Sequence, residues 1–183
     1  MSEERLVVLD RDGVINEDSD AYIKTPAEWL PIPGSLEAIA RLNAAGYTIA
    51  VATNQSGLAR GFYDADTLDA IHNRMHTLLA EVGGYIDVLK LCPHGPDDGC
   101  DCRKPASGLY HQIESELGQR LDGVPAIGDS LRDLEAAAAV NARPILVRTG
   151  KGTKTEANLP EWLADTPVYD NLAAAVDALL EDD

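Results

Sequence analysis

Leu6-Val7-Val8-Leu9-Asp10-Arg11-Asp12-Gly13-Val14-Ile15-Asn16 is the stretch around which the rest of the chain can be read. A short apolar run, β-branched at its centre, ends in two carboxylates one residue apart, followed by glycine. The run predicts a buried strand, and Gly13 a loop where backbone can approach a ligand. Asp10 and Asp12 flank Arg11, so both leave the strand end on one side. Two carboxylates so placed can share a divalent cation, or divide the roles of nucleophile and general acid. The ordinary alternative is a strand entering a polar turn, where Asp and Gly are common.

The same punctuation recurs along the chain. Pro26, Pro31 and Pro33 exclude a long helix and predict a fixed surface excursion. A helix follows, with Leu36, Ile39, Ala40 and Leu42 at helical spacing, Ser35 as N-cap and Gly46 as stop. A second strand over Tyr47 to Ala52 runs into Thr53-Asn54-Gln55-Ser56-Gly57. Asp64 or Asp66 opens a long helix whose apolar positions Leu68, Ile71, Met75, Leu78, Leu79 and Val82 keep the 3.6 period. A strand from Ile86 to Leu91 leads into a cysteine-rich loop, and a helix is expected from Ser107 to Leu117. The next strand, Val124 to Ile127, ends in Gly128-Asp129-Ser130-Leu131-Arg132-Asp133. An Ala-rich helix to Asn141, a strand from Pro144 to Val147, a polar loop from Arg148 to Asn158 and a closing helix from Asn171 to Leu180 complete the chain.

Strand and helix alternate almost throughout, which implies parallel pairing through right-handed crossovers and a doubly wound α/β sandwich. Ligands in such sheets bind beyond the carboxyl ends of the strands. Asp10/Asp12, Thr53 to Ser56, the loop leading to Lys104, and Asp129 all fall at predicted strand ends. Acidic residues such as Asp129 and Asp133 also suit a helix N-terminus by capping and dipole alone.

A length of 183 residues suits one domain, 1–183, with a real core. Fifteen Lys+Arg against 31 Asp+Glu give a net charge of −16, which argues against nucleic-acid or anionic-membrane partners. A small anionic substrate remains open to a few local cations. There is no basic, apolar leader and no run near the ~18 apolar residues of a membrane span, so a cytoplasmic monomer is expected.

All three cysteines lie in Cys92-Pro93-His94-Gly95-Pro96-Asp97-Asp98-Gly99-Cys100-Asp101-Cys102. An odd number in one loop makes a poor disulfide framework. Cys92, His94, Cys100 and Cys102 offer three sulfurs and one nitrogen, a donor set for tetrahedral structural Zn²⁺ in a loop over 92–105. Redox-sensing thiols, or cysteines that merely sit in a loop, are the alternatives. His72, His76 and His111 fall in predicted helices without partner motifs and are expected to be surface or packed residues.

Asp10-x-Asp12-Gly13, Thr53, Lys104 and Gly128-Asp129-x-x-x-Asp133 resemble, in order, the four motifs of the haloacid dehalogenase superfamily of phosphohydrolases. The resemblance implies Asp10 as nucleophile forming an aspartyl-phosphate, and Asp12 as acid and then base. It implies Thr53 and Lys104 on the transferring phosphoryl group, and Mg²⁺ held by Asp10, the Asp12 carbonyl and Asp129. The chemistry suits these residue types: phosphoryl transfer spreads negative charge that a cation and a Lys must offset. The segments Asp10 to Gly34 and Cys92 to Ser107 are too short for the superfamily's separate cap domain, so an open site is expected.

The longer phrases Asp10 to Asn16, Thr53 to Gly61, Cys102-Arg103-Lys104-Pro105 and Val147 to Lys151 are similar to the D-glycero-D-manno-heptose 1,7-bisphosphate 7-phosphatases over nearly the full chain. That resemblance implies a phosphorylated sugar substrate met by Arg103, Asp18, Tyr22, Asn54, Ser56 and Arg60, in nucleotide-heptose and lipopolysaccharide precursor synthesis. Many relatives have Lys where this chain has Ser130. The compact metal loop also resembles that of the histidinol-phosphate phosphatases, the second substrate reading. A receiver-type phosphoacceptor would place its acceptor Asp after the third strand and lacks the cysteine loop. A DNA 3′-phosphatase would want a basic groove. A zinc-dependent interaction module would leave the edge carboxylates idle.

Overall fold

The β-branched, fully apolar run Leu6–Leu9 forms β1 in the computed structural model, which describes residues 5–182. The remaining strands are β2 (Thr48–Asn54), β3 (Val88–Cys92), β4 (Pro125–Gly128), β5 (Arg143–Val147) and β6 (Val168–Tyr169). They make one parallel sheet in the order β3-β2-β1-β4-β5-β6. The helices are α1 (Ser35–Ala44), α2 (Ala65–Glu81), α3 (Gly108–Leu117), α4 (Leu131–Ala139), α5 (Gly152–Ala157) and α6 (Leu172–Glu181).

Side-chain alternation along the strands splits the core in two. Val7, Leu9, Ile49, Val51, Ile127, Ile145 and Val147 face α1, α2 and α6. Leu6, Val8, Ala50, Ala52 and Ala126 face α3 and α4. Burial on both faces explains why the strands read as continuous apolar runs. The doubly wound α/β class is therefore as expected, and neither 10–34 nor 93–107 carries a cap domain; the first holds a 3₁₀ turn, Pro26–Glu28, and the isolated β-bridges of Asn16 with Asp12 and Pro31.

Several local expectations change. Gly34, not Ser35, is the N-cap of α1, and it uses a left-handed φ of 87° that a side chain would strain. Ser35 instead begins the helix and donates its hydroxyl to the Val14 carbonyl at 2.8 Å, tying α1 to the loop after β1. Strand β2 runs two residues further than expected, so Thr53 and Asn54 belong to the ladder itself. Asp64 rather than Asp66 caps α2 through the Thr67 amide, and Val82 lies past the helix end, 38% exposed. Helix α4 stops at Ala139, short of Asn141. The polar segment 148–158 contains α5, and β6 adds a short edge strand.

Candidate active site

Strand order reverses between β1 and β4, and the ligand crevice of a parallel sheet opens just beyond their carboxyl ends. Asp10 leaves β1 at this point, and its backbone N–H still bonds the Ile127 carbonyl of β4 at 3.0 Å. Its Oδ1 accepts from the Arg11 N–H at 2.8 Å and from Lys104 Nζ at 3.0 Å. No described residue donates to Oδ2, so that oxygen is free of hydrogen bonds.

Lys104 reaches in from the loop after β3, and all three of its N–H groups are used. They go to Asp10 Oδ1, to Asp133 Oδ1 at 2.6 Å and to the Ala52 carbonyl at 2.8 Å. Burial opposes its charge, but the Asp10 and Asp133 carboxylates outweigh that and hold the ammonium firmly protonated. The same pairing, with Ser130, overcomes burial at Asp133 and keeps its carboxyl below the usual range. Asp133 Oδ2 accepts from Asp129 N, Ser130 N and Ser130 Oγ, closing a capping box at the start of α4.

Carboxylate oxygens of Asp10, Asp129 and Asp133 all lie within 4.8 Å of one another. Burial pushes Asp129 up to about 7, with Asp133 pushing the same way. Burial, Asp133 and Asp129 also raise Asp10, more than Lys104 offsets. Three crowded hard-oxygen donors with only the Lys104 ammonium to offset their charge suit a divalent cation. Backbone packs tightly here: at Gly13, with φ 85°, an added Cβ would fall 2.0 Å from Asp129 Oδ2. The segment after β5 closes the far side. Lys151 N donates to Asp129 Oδ2 at 2.9 Å, Thr155 Oγ1 to the Asp129 carbonyl at 2.8 Å, and Thr149 Oγ1 to the Gly13 carbonyl at 2.6 Å.

On the other side of Asp10, Thr53 Oγ1 accepts from Gln55 Nε2 at 2.9 Å. Gln55 also donates to Asp12 Oδ2 at 3.3 Å and accepts from Tyr63 Oη at 2.7 Å. Asp12 Oδ1 accepts from Arg11 Nε and Asn16 Nδ2, both at 2.9 Å. The cavity in front of these groups is about 310 Å³, and Asp18, Tyr22, Asn54, Ser56, Arg60, Arg103, Arg132 and Lys151 contribute to its walls. Arg60 lies over the Tyr22 ring, which packs on Phe62. Burial lowers Arg103, and Arg132 and Arg60 add repulsion. Arg60, Arg103 and Arg132 have no carboxylate partner among the described residues, so three guanidinium groups wait for an anion at the mouth of a strongly acidic protein.

The cysteine loop brings its sulfurs together without a disulfide. Cys102 Sγ lies 2.9 Å from Cys92 Sγ, which lies 3.6 Å from Cys100 Sγ. Burial pushes the Cys102 thiol up to about 12, with Cys92 and Cys100 adding to it, and also raises Cys92. Such a trio suits a soft cation that displaces the protons. The exposed His94 imidazole is not among the mutually close donors, which number three sulfurs.

Two family models match the chain: HAD-hydrolase-like over residues 101–175, and polynucleotide kinase 3 phosphatase over residues 6–129. D-glycero-beta-D-manno-heptose-1,7-bisphosphate 7-phosphatase of Bordetella bronchiseptica is 55% identical over 97% of this chain and 99% of its own length. The protein of the same name from Pseudomonas aeruginosa is 58% identical over 96% of this chain and 98% of its own. The crystal structure of the B. bronchiseptica D,D-heptose 1,7-bisphosphate phosphatase, complexed with magnesium and phosphate, superposes with a TM-score of 0.94 at 55% identity. It covers 98% of this chain, and this chain covers 99% of it. The chain belongs to the heptose 1,7-bisphosphate 7-phosphatase family.

As in the expectation for that family, Asp10, Asp12, Thr53, Lys104 and Asp129 meet at one crevice, and Asp18, Tyr22, Ser56, Arg60 and Arg103 line its approach. Asn54 also lines it, but its amide is committed elsewhere. It donates to the Lys104 carbonyl at 3.1 Å and accepts from the Lys104 N–H at 3.0 Å. In this heptose phosphatase family member those two bonds tie Asn54 to the Lys104 backbone. Sequence reasoning assigns no role to Arg132, and it does not foresee that Lys104 pairs directly with Asp133. A basic residue beside a motif aspartate, as at Arg132, was the available signal in so acidic a chain.

Proposed function

We propose that this chain removes the C7 phosphate of D-glycero-D-manno-heptose 1,7-bisphosphate through a phosphoryl group carried on Asp10. The observation that carries the reading is the Asp10 carboxylate, held through Oδ1 by Lys104 with Oδ2 free, at a cavity also lined by three guanidinium groups that have no carboxylate partner among the described residues. One phosphate of a bisphosphate meets the carboxylate cluster, and the other meets Arg60, Arg103 and Arg132.

Asp10 Oδ2 attacks phosphorus as the bond to the sugar oxygen breaks, and Asp12 gives that oxygen a proton. Water then attacks the aspartyl-phosphate, Asp12 takes a proton from it, and phosphate leaves with Asp10 restored. Thr53 and Lys104 orient and neutralise the phosphoryl oxygens. Asp10, Asp129 and the Asp12 carbonyl would hold Mg²⁺, because both oxygens of the neighbouring Asp133 already accept hydrogen bonds. When bound, the cation offsets the charge that builds between carboxylate and phosphoryl oxygens. Cys92, Cys100 and Cys102, with His94 turned inward as fourth donor, would hold Zn²⁺ as a structural clasp behind Arg103 and Lys104.

A monomer is the proposed working unit, and 1–183 the proposed single domain. No described helix is long and apolar enough to cross a membrane, and the net charge of −16 argues against a nucleic-acid partner while local cations still admit a small anionic substrate; the cytoplasm is the proposed location. The names of the relatives support heptose bisphosphate over histidinol phosphate. The test is phosphate release with Mg²⁺, comparing those two compounds by kcat/KM. A preference for the heptose of about a hundredfold or more supports the reading, and a preference for histidinol phosphate overturns the substrate. Asp10→Asn should leave less than about one per cent of turnover.

A further inference from the structure

Arg11 stands between the two catalytic aspartates, yet its side chain points away from the cavity and is fully buried. A buried guanidinium is expensive unless its donors are met. Here Nε donates to Asp12 Oδ1 at 2.9 Å, Nη2 lies 2.8 Å from the same oxygen, and Nη1 meets His72 Nε2 at 3.1 Å. Nη2 has no hydrogen bond of its own, so the arrangement is not optimal for stability alone.

The His72 contact fixes a tautomer. Guanidinium nitrogens only donate, so Nε2 must accept and the ring is neutral, with its proton on Nδ1. His72 lies on the inward face of α2, only 7% exposed. Burial and Arg11 hold it down at about 3, so it stays an acceptor across the physiological range.

The consequence falls on Asp12. Its Oδ1 is saturated by Arg11 and by Asn16 Nδ2, whereas Oδ2 receives only the long 3.3 Å contact from Gln55, and Asp12 lines the cavity. We propose that Arg11 and His72 are positioning residues, a buried strut that makes Oδ2 of Asp12 the oxygen that carries the catalytic proton. As Asp10 bonds phosphorus and the phosphorus–alkoxide bond breaks, the Oδ2 proton moves to the leaving oxygen. As water bonds phosphorus and the Asp10–phosphorus bond breaks, the water's proton returns to Oδ2. A proton on Oδ1 would break a charge-assisted bond to Arg11.

This rests on the aspartyl-phosphate reading, and its test separates acid delivery from simple stability. Wild type, His72→Leu, His72→Gln and Arg11→Lys would be compared by kcat/KM on an alkyl phosphate that wild type turns over and on p-nitrophenyl phosphate. Nitrophenolate leaves without a proton, and kcat/KM reports only the steps through phosphoenzyme formation. His72→Leu should lose about tenfold or more on the alkyl ester and less than about threefold on the nitrophenyl ester. His72→Gln, which restores an acceptor, should recover most of the loss, and Arg11→Lys should show the same selective deficit. Equal losses on both esters, or none on either, would overturn the strut. Should Arg11→Lys not fold, the two His72 variants decide alone. If wild type turns over no alkyl phosphate, the phosphatase reading fails and this role with it.

Discussion

Lys104 Nζ donates to Asp133 Oδ1 at 2.6 Å, joining the loop after β3 to the first turn of α4 where both side chains are nearly inaccessible. Removing the ammonium would leave the Asp133 and Asp10 carboxylates facing each other in a poorly solvated crevice. Lys104→Met should abolish turnover and destabilise by about 3 kcal/mol. In a double-mutant cycle with Asp133→Asn, denaturant unfolding should give a coupling of at least about 1 kcal/mol. Additive losses would mean the two groups do not act as a pair.

Gly13→Ala tests the close approach between the loop after β1 and Asp129. The left-handed φ of 85° and the 2.0 Å encounter with Asp129 Oδ2 both oppose a methyl group. We expect destabilisation of about 2 kcal/mol and weaker Mg²⁺ activation. An unchanged magnesium titration would show that Asp129 does not need this glycine.

His72 gives stability a defined pH dependence. The unfolded histidine titrates near its ordinary value of about 6.5, but the folded one resists protonation down to about 3. Between those values the unfolded chain holds a proton that the folded chain refuses, so stability falls as pH falls. At about pH 5 the contribution is roughly 2 kcal/mol. His72→Gln lacks it, so any stability advantage of wild type over that variant should shrink by this amount between about pH 7.5 and pH 5. A pH-independent difference in unfolding free energy would contradict the buried, neutral ring.

Cys100→Ser should lower zinc content, read by elemental analysis of the purified protein, and lower Tm. Unchanged metal content would rule against a structural zinc. His94→Ala provides the second arm: a fall in zinc affinity is expected if the imidazole completes the set that three sulfurs begin.

Much of the site was legible because chemically distinctive residues sit where apolar runs stop. Asp10, Thr53 and Asp129 mark strand ends, and parallel pairing puts those ends on one edge. What stayed hidden depends on partners far along the chain. Nothing around Asn54 shows that its amide will brace the backbone of Lys104, fifty residues on. Helix α5 has no apolar stripe; it is held by contacts such as Thr155 with Asp129, so its sequence reads as a polar loop. His72 did leave a trace. It falls on the same helical face as Leu68, Ile71, Met75 and Leu79, a polar residue on a buried stripe.

The clasp over the proposed metal ligands comes from Thr149, Lys151 and Thr155, whereas the proposed nucleophile is residue 10. A ribosome therefore delivers Asp10 almost at once and the residues that secure Asp129 only near the end. A nascent chain carries its reactive carboxylate through most of its synthesis before the groups that would make it an enzyme can close around it. A chain cut between Asp133 and Thr149 would carry all four motifs and leave the fourth unsecured.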